Sequence, residues 1–134
     1  MQLENSNLMK NIINTENAPK AIGPYSQAVE INGVLYISGQ IPINPKTNKV
    51  VEGGIMEQTL QVMTNIGEIL KEAGYSFRDV VKSTCMLSNI KDFTKMNEVY
   101  GQFYEQDSPA RAAFAVKELP LGVLIEIETI AVKK

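Results

Sequence analysis

Three charged side chains stand inside segments whose neighbours read as interior β-strands. Arg111 lies within Ser108-Pro109-Ala110-Arg111-Ala112-Ala113-Phe114, and Glu126 and Glu128 lie within Ile125-Glu126-Ile127-Glu128-Thr129-Ile130-Ala131. An unpaired charge in a protein interior costs several kcal/mol, so each must have a partner, keep water in a cleft, or bind a charged ligand. Side chains at i, i+2 and i+4 of a strand share a face, which puts Arg111 beside Ala113 and Ala115. Two small neighbours leave space over the guanidinium, whose planar fork holds a carboxylate through paired charge-assisted hydrogen bonds. Recognition of a small organic acid is one chemistry these residues support. A structural ion pair between Arg111 and Glu126 or Glu128 accounts for them equally well.

The elements that carry these residues follow from periodicity. Residues 123–132 alternate, with Ile125, Ile127, Thr129 and Ala131 on one face and Leu124, Glu126, Glu128, Ile130 and Val132 on the other. Residues 110–116 form another strand, and residues 79–87 a further one, with Val81, Ser83, Cys85 and Leu87 opposite Lys82, Thr84 and Met86. Upstream, residues 27–31 and 34–38 flank Asn32-Gly33, a pair suited to the positive φ angles of a type I′ hairpin turn. Residues 39–45 leave this hairpin with two prolines set against regular pairing, and Ile12-Ile13 reads as an edge strand ended by Ala18-Pro19. Helical spacing appears over residues 54–74, where Ile55, Thr59, Val62, Ile66, Ile69, Leu70 and Ala73 share a side and Gly74 supplies the stop. A shorter helix is expected over residues 92–104, buried through Phe93, Met96, Tyr100 and Phe103. The order predicts an α+β fold with helices on one face of a mixed sheet. The opposite face mixes acids with aliphatic groups, which points to packing against another subunit with a site at its edge.

Composition narrows the chemistry. The chain has 134 residues, 44% of them hydrophobic, and a formal net charge of −2, a balance that argues against nucleic acid or an acidic membrane as partner. Histidine is absent, which removes the commonest general base and metal ligand and excludes Ser-His-Asp and Cys-His catalysis. The single cysteine, Cys85, excludes an internal disulfide framework and reads as core. One domain is expected over residues 9–134, with residues 1–8 as an N-terminal extension ahead of Met9. No run has the length of a membrane-spanning helix and the N-terminus lacks the order of a signal peptide, so a cytoplasmic protein is expected.

Four separated segments resemble the Rid family, also called YjgF: Ile22-Gly23-Pro24-Tyr25-Ser26-Gln27, Ile37-Ser38-Gly39-Gln40-Ile41-Pro42, Met96-Asn97-Glu98-Val99-Tyr100, and Pro109-Ala110-Arg111 through Ile130-Ala131. The likeness runs in unbroken order from about Met9 to the C-terminus and is nearest the reactive intermediate deaminase A type. It implies a chorismate-mutase-like α+β fold, with a six-stranded mixed sheet, two helices on one face, and a homotrimeric barrel with clefts between subunits. It also implies hydrolysis of 2-aminoacrylate, 2-iminopropanoate and 2-iminobutanoate to 2-keto acids and ammonia, with no cofactor and no metal. On this resemblance Arg111 grips the substrate carboxylate, Glu126 orients or activates water, and Tyr25 donates a hydrogen bond or relays a proton. Ser38 and Gly39 line the pocket, and Asn97 supports it from a helix.

Each role has a plainer counterpart. Tyr25 could cap the hairpin, Asn97 could be a structural hydrogen-bonder, and Ser38-Gly39 could only bend a strand end. Glu126 and Glu128 share a face, so periodicity does not choose between them; the resemblance selects Glu126. The chain departs from many relatives in carrying Ala113 where they have a reactive cysteine, which puts thiol-based switching there in doubt but not imine hydrolysis. A non-catalytic 2-keto acid binding or sensing protein would use the same contacts. Translation inhibition or RNA cleavage fits poorly with a chain that has neither histidine nor a basic stripe.

Overall fold

The structure, a computed structural model, describes residues 9–134. The expected N-terminal extension, residues 1–8, lies outside the described residues. Eight strands occur in it: β1 (Asn11–Ile13), β2 (Ala28–Ile31), β3 (Val34–Gln40), β4 (Ile43–Asn44), β5 (Lys49–Val50), β6 (Val80–Leu87), β7 (Ala110–Ala115) and β8 (Ile125–Val132). Among the described residues there are two α-helices, α1 (Ile55–Ala73) and α2 (Phe93–Tyr100), the latter extended by a 3-10 turn over Gly101–Phe103. Six strands form one sheet in the order β1-β2-β3-β8-β6-β7, antiparallel except for the parallel β6-β7 pair. The expected mixed sheet is present, and Ile12-Ile13 lies in an edge strand as anticipated.

Local chemistry explains why these elements begin and end where they do. Asn32 and Gly33 both have positive φ, 52° and 78°, and close the β2-β3 hairpin as a type I′ turn. At the start of α1 the Glu57 carboxylate accepts the Gly54 N–H at 2.9 Å, and Gly74 ends the helix in the left-handed region at φ 82°. The Gly74 and Tyr75 amides donate back to the Lys71 and Leu70 carbonyls, a Schellman ending that needs a residue tolerant of positive φ. The inward stripe of α1, including Val62, Met63, Ile66, Ile69 and Leu70, packs with Met96 and Tyr100 of α2 onto Leu35, Cys85, Leu87, Ile125 and Ile127 of the sheet. Burying each large aliphatic side chain contributes about 1.5–3 kcal/mol before entropy is counted. The short β4-β5 hairpin over residues 43–50 was not foreseen; buried Asn65 of α1 holds it by donating to the Ile43 carbonyl at 3.0 Å.

Two irregularities depart from strict alternation. Where β6 meets β8, the register runs Val80↔Ala131 and then Lys82↔Ile130, so Val81 is an extra residue. Val81 is therefore turned out, 46% exposed, and not on the buried face with Ser83, Cys85 and Leu87 as its spacing predicted. Where β3 meets β8, Ile37↔Thr129 is followed by Gln40↔Ile127, which places a second bulge at Ser38-Gly39. Arg111 also does not sit in an interior strand: β7 forms the edge of the sheet, whereas β8, with both glutamates, is central between β3 and β6.

Candidate active site

The six residues selected from the sequence fall into two groups on opposite faces of the sheet. Arg111 pairs in register with Ser83, which pairs with Thr129, and both neighbours are buried beneath the helices. Its guanidinium consequently turns toward α2, where Nη1 donates to Asn97 Oδ1 at 2.7 Å. Arg111 Cζ lies 5.4 Å from the centroid of the Phe93 ring and 4.9 Å from that of Tyr100. Glu126 pairs with Met86 and Glu128 with Thr84, residues of the helix-free face. An ion pair between Arg111 and either glutamate of the same chain is thus ruled out by the register. Among the described residues the side-chain hydrogen bond of Arg111 goes to a neutral amide, which leaves its charge uncompensated.

Beside Arg111 a cluster of buried hydroxyls spans the sheet and α2. Ser83 and Thr129 of the sheet, Tyr100 of α2 and Tyr104 just beyond it each bury a hydroxyl oxygen without a well-formed hydrogen bond among the described residues. Ser83 nevertheless lies close enough to both phenols to favour their ionised forms against the larger effect of burial. Burial raises the phenols of Tyr100 and Tyr104 above the ordinary tyrosine range. Cys85 lies in the same layer, opposite Ala113. Burial pushes its thiol up to about 11 against a smaller pull from Arg111, so it is a core thiol and a poor nucleophile.

The second group gathers around the β3 bulge. Tyr25, Ser38 and Glu128 border a shallow groove of about 470 Å³, together with Lys10, Tyr36 and Ile130. Tyr25 stands in a tight turn, its N–H donating to the Gly23 carbonyl at 2.8 Å, and its ring is half exposed. The Ser38 hydroxyl donates to the Ser26 carbonyl at 2.6 Å, tying β3 to the Tyr25 loop. Gly39 leaves the place where the Glu126 carboxylate lies; a Cβ there would come within 3.0 Å of the carboxyl carbon and closer still to an oxygen. Burial, and secondarily the negative charge of Glu128, raise the Glu126 carboxyl above the ordinary value of 4.5. A larger groove of about 730 Å³, bordered by Arg78, Gln102, Glu105 and Asp107, contains none of the six residues.

The geometry thus sets Arg111 against Phe93, Asn97 and Tyr100 on one face of the sheet and Glu126, its pKa raised, over Gly39 on the other. Sequence reasoning treated Phe93 and Tyr100 only as a buried stripe. Their spacing around Asn97, at i, i+4 and i+7 of one helix face, was the available signal that all three meet one partner.

Comparison with known proteins identifies the family. A family model described as "Endoribonuclease L-PSP" matches residues 15–133. A protein named "RutC family protein" from Pyrococcus horikoshii is 56% identical over 126 residues, covering 94% of this chain and 100% of the relative. A goat (Capra hircus) protein named "2-iminobutanoate/2-iminopropanoate deaminase" is 51% identical over 128 residues, covering 96% of this chain and 93% of the relative. The crystal structure of E. coli TdcF with bound serine superposes with a TM-score of 0.89 at 38% identity, over 92% of this chain and 99% of that one. With a family model and relatives of this identity spanning nearly its whole described length, the chain belongs to the Rid (YjgF) family.

Proposed function

We propose that the protein is an imine deaminase that hydrolyses 2-aminoacrylate, through its tautomer 2-iminopropanoate, and 2-iminobutanoate to 2-keto acids and ammonia. The observation that carries this reading is the half-buried Arg111 guanidinium, whose hydrogen-bond partner is the neutral Asn97 and whose remaining N–H groups can take a carboxylate. Names support it too: relatives called 2-iminobutanoate/2-iminopropanoate deaminase are about half identical to this chain, and TdcF, of like fold, binds serine, another small α-substituted acid.

The chemistry asks little of the protein. Water adds to the imine carbon and forms a carbinolamine; its C–N bond then breaks, releasing ammonia and the keto acid. The imine carbon is already electrophilic, so catalysis consists of holding the carboxylate, placing water and moving protons. In this reading Arg111 holds the carboxylate. Glu126 accepts a proton from the attacking water and returns one to the departing nitrogen, a task suited to a carboxyl with a raised pKa. Tyr25 supplies a hydrogen bond near the nitrogen, and Ser38 and Gly39 shape the wall.

Because Arg111 and Glu126 occupy opposite faces of the sheet, a site that uses both draws them from different copies of the chain. A homotrimer with clefts between subunits meets that requirement. It would also cover the exposed Tyr36, Phe114 and Val132, which the register assigns to the helix-free face.

The test is hydrolysis of 2-aminoacrylate generated in situ by a serine dehydratase, comparing wild type and Arg111→Ala with spontaneous decay. Wild type is expected to accelerate the reaction and Arg111→Ala to lose that advantage, since removing one partner of a buried charge pair costs about 2–5 kcal/mol. Equal rates for the two proteins would overturn the clamp. If neither beats spontaneous decay, keto acid binding without turnover becomes the reading. The family model's own description raises RNA cleavage, which a strongly salt-dependent RNA affinity would favour.

A further inference from the structure

We propose that Phe93 and Tyr100 are positioning residues for Arg111, forming with Asn97 a three-sided cradle that fixes the plane of the guanidinium before an anion arrives. The proposal rests on the reading of Arg111 as a carboxylate clamp. All three residues lie on α2 at i, i+4 and i+7, so one helix face presents a ring, an amide and a second ring to one cation. The rings stand 5.4 Å and 4.9 Å from Arg111 Cζ, within range of the attraction between a cation and an aromatic face, and the amide accepts from Nη1 at 2.7 Å.

Arg111 needs such help because of where it is. β7 is an edge strand with a neighbour on one side only, and Ala110, Ala112 and Ala115 around it are exposed. A long side chain on such an edge has many rotamers, and ordering it on binding would weaken affinity. Aromatic faces suit the task better than a carboxylate would. They hold a weakly hydrated planar cation without neutralising it and without occupying its N–H groups, whereas an acid in their place would compete with the ligand.

The platform is itself packed against further rings. The Tyr100 ring packs against Tyr104 at 4.9 Å between centroids, Tyr104 meets Phe77 edge-on at 5.6 Å, and Phe77 packs against Phe103 at 5.2 Å. Tyr100 is 5% exposed, and Arg111 Cζ stands over its ring, so the ring is the part of the side chain that meets the guanidinium. Arg111 thus caps an aromatic stack rooted in the core between the sheet and the helices.

The experiment measures affinity for 2-oxobutanoate by calorimetry, and turnover of 2-aminoacrylate generated in situ, for Phe93→Leu, Tyr100→Leu, Tyr100→Phe and Arg111→Ala. Each leucine variant is expected to weaken keto acid binding about three- to tenfold, while Tyr100→Phe, which keeps the ring, stays within about twofold of wild type. In an Arg111→Ala background, Phe93→Leu should have no further effect on binding, because its role passes through the arginine. Phe93 is only partly buried, so Phe93→Leu decides the matter if Tyr100→Leu does not fold. Wild-type affinity in folded Phe93→Leu, with affinity lost in Arg111→Ala, would overturn the cradle and leave the clamp standing. Wild-type affinity in Arg111→Ala would overturn the clamp itself.

Discussion

Arg111 and Glu126 are both half-buried charges on strands of one sheet, yet their surroundings differ in kind. Around Arg111 everything present favours a fixed positive charge: two ring faces, a neutral amide acceptor, and a helix that orients all three. Around Glu126 everything named disfavours a fixed negative charge: burial first, and then the carboxylate of Glu128. The supports differ as well. α2 is a regular helix face, whereas the glutamate lies over a β-bulge at Ser38-Gly39, where a missing side chain makes the room. On the function proposed above the contrast would separate two tasks: Arg111 would bind a carboxylate without changing charge, and Glu126 would exchange a proton, a step that a raised pKa assists.

The largest effect expected from breaking this contrast comes from Glu126→Gln. Turnover should fall by roughly 10²–10⁴, the usual contribution of a positioned acid–base group, while 2-oxobutanoate binding stays near wild type. Comparable turnover in the variant would shift the role to Glu128 or to another proton path. Loss of fold is not the expected cause. A carboxyl whose folded pKa is raised binds its proton more tightly folded than unfolded, so ionising it lowers stability as pH rises past its ordinary 4.5. At neutral pH Glu126→Gln should therefore melt no lower than wild type.

Next in size is a mixing experiment on the division of labour between copies. Arg111→Ala and Glu126→Gln, each inactive alone, should regain activity when denatured together and refolded at equal concentration. If each site takes its arginine from one copy and its acid from another, about one site in four is intact in a random trimer. No recovery, with each variant refolding normally alone, would place the two groups in separate functions.

A smaller change tests the packing under the acid. Gly39→Ala puts a Cβ against the Glu126 carboxylate and should lower turnover about tenfold through misplacement, with keto acid affinity little changed. If affinity falls as much as turnover, the pocket wall and not the acid has moved. The smallest effect is electrostatic. Glu128→Gln removes the like charge that helps raise the Glu126 pKa, so the acid limb of the pH–rate profile should move to lower pH. An unmoved limb would mean that Glu126 does not set it.

Much of this molecule was legible one strand or helix at a time. The period-2 pattern of residues 125–132 separated Ile125, Ile127, Thr129 and Ala131 from Glu126 and Glu128, and the structure buries the first set. Asn32-Gly33 marked its hairpin, and the spacing from Ile55 to Gly74 marked α1 with both ends. These are local properties, because backbone geometry alone decides which side chains share a face and where a positive φ is tolerated. Val81 escaped the pattern, since a bulge exists only between two strands and one strand does not announce it.

What the sequence determined by itself is therefore the set of elements, their buried stripes, the exclusion of histidine chemistry, and a resemblance that selected six residues for one site. Only the tertiary structure decided that β7 is an edge, that Arg111 lies under α2 against Phe93, Asn97 and Tyr100, and that Glu126 rests over Gly39 on the other face. The physical reason is range. Alternation and capping are set within a few residues, whereas strand order, bulges and the rings around a cation depend on contacts between segments distant in the chain, which only folding brings together.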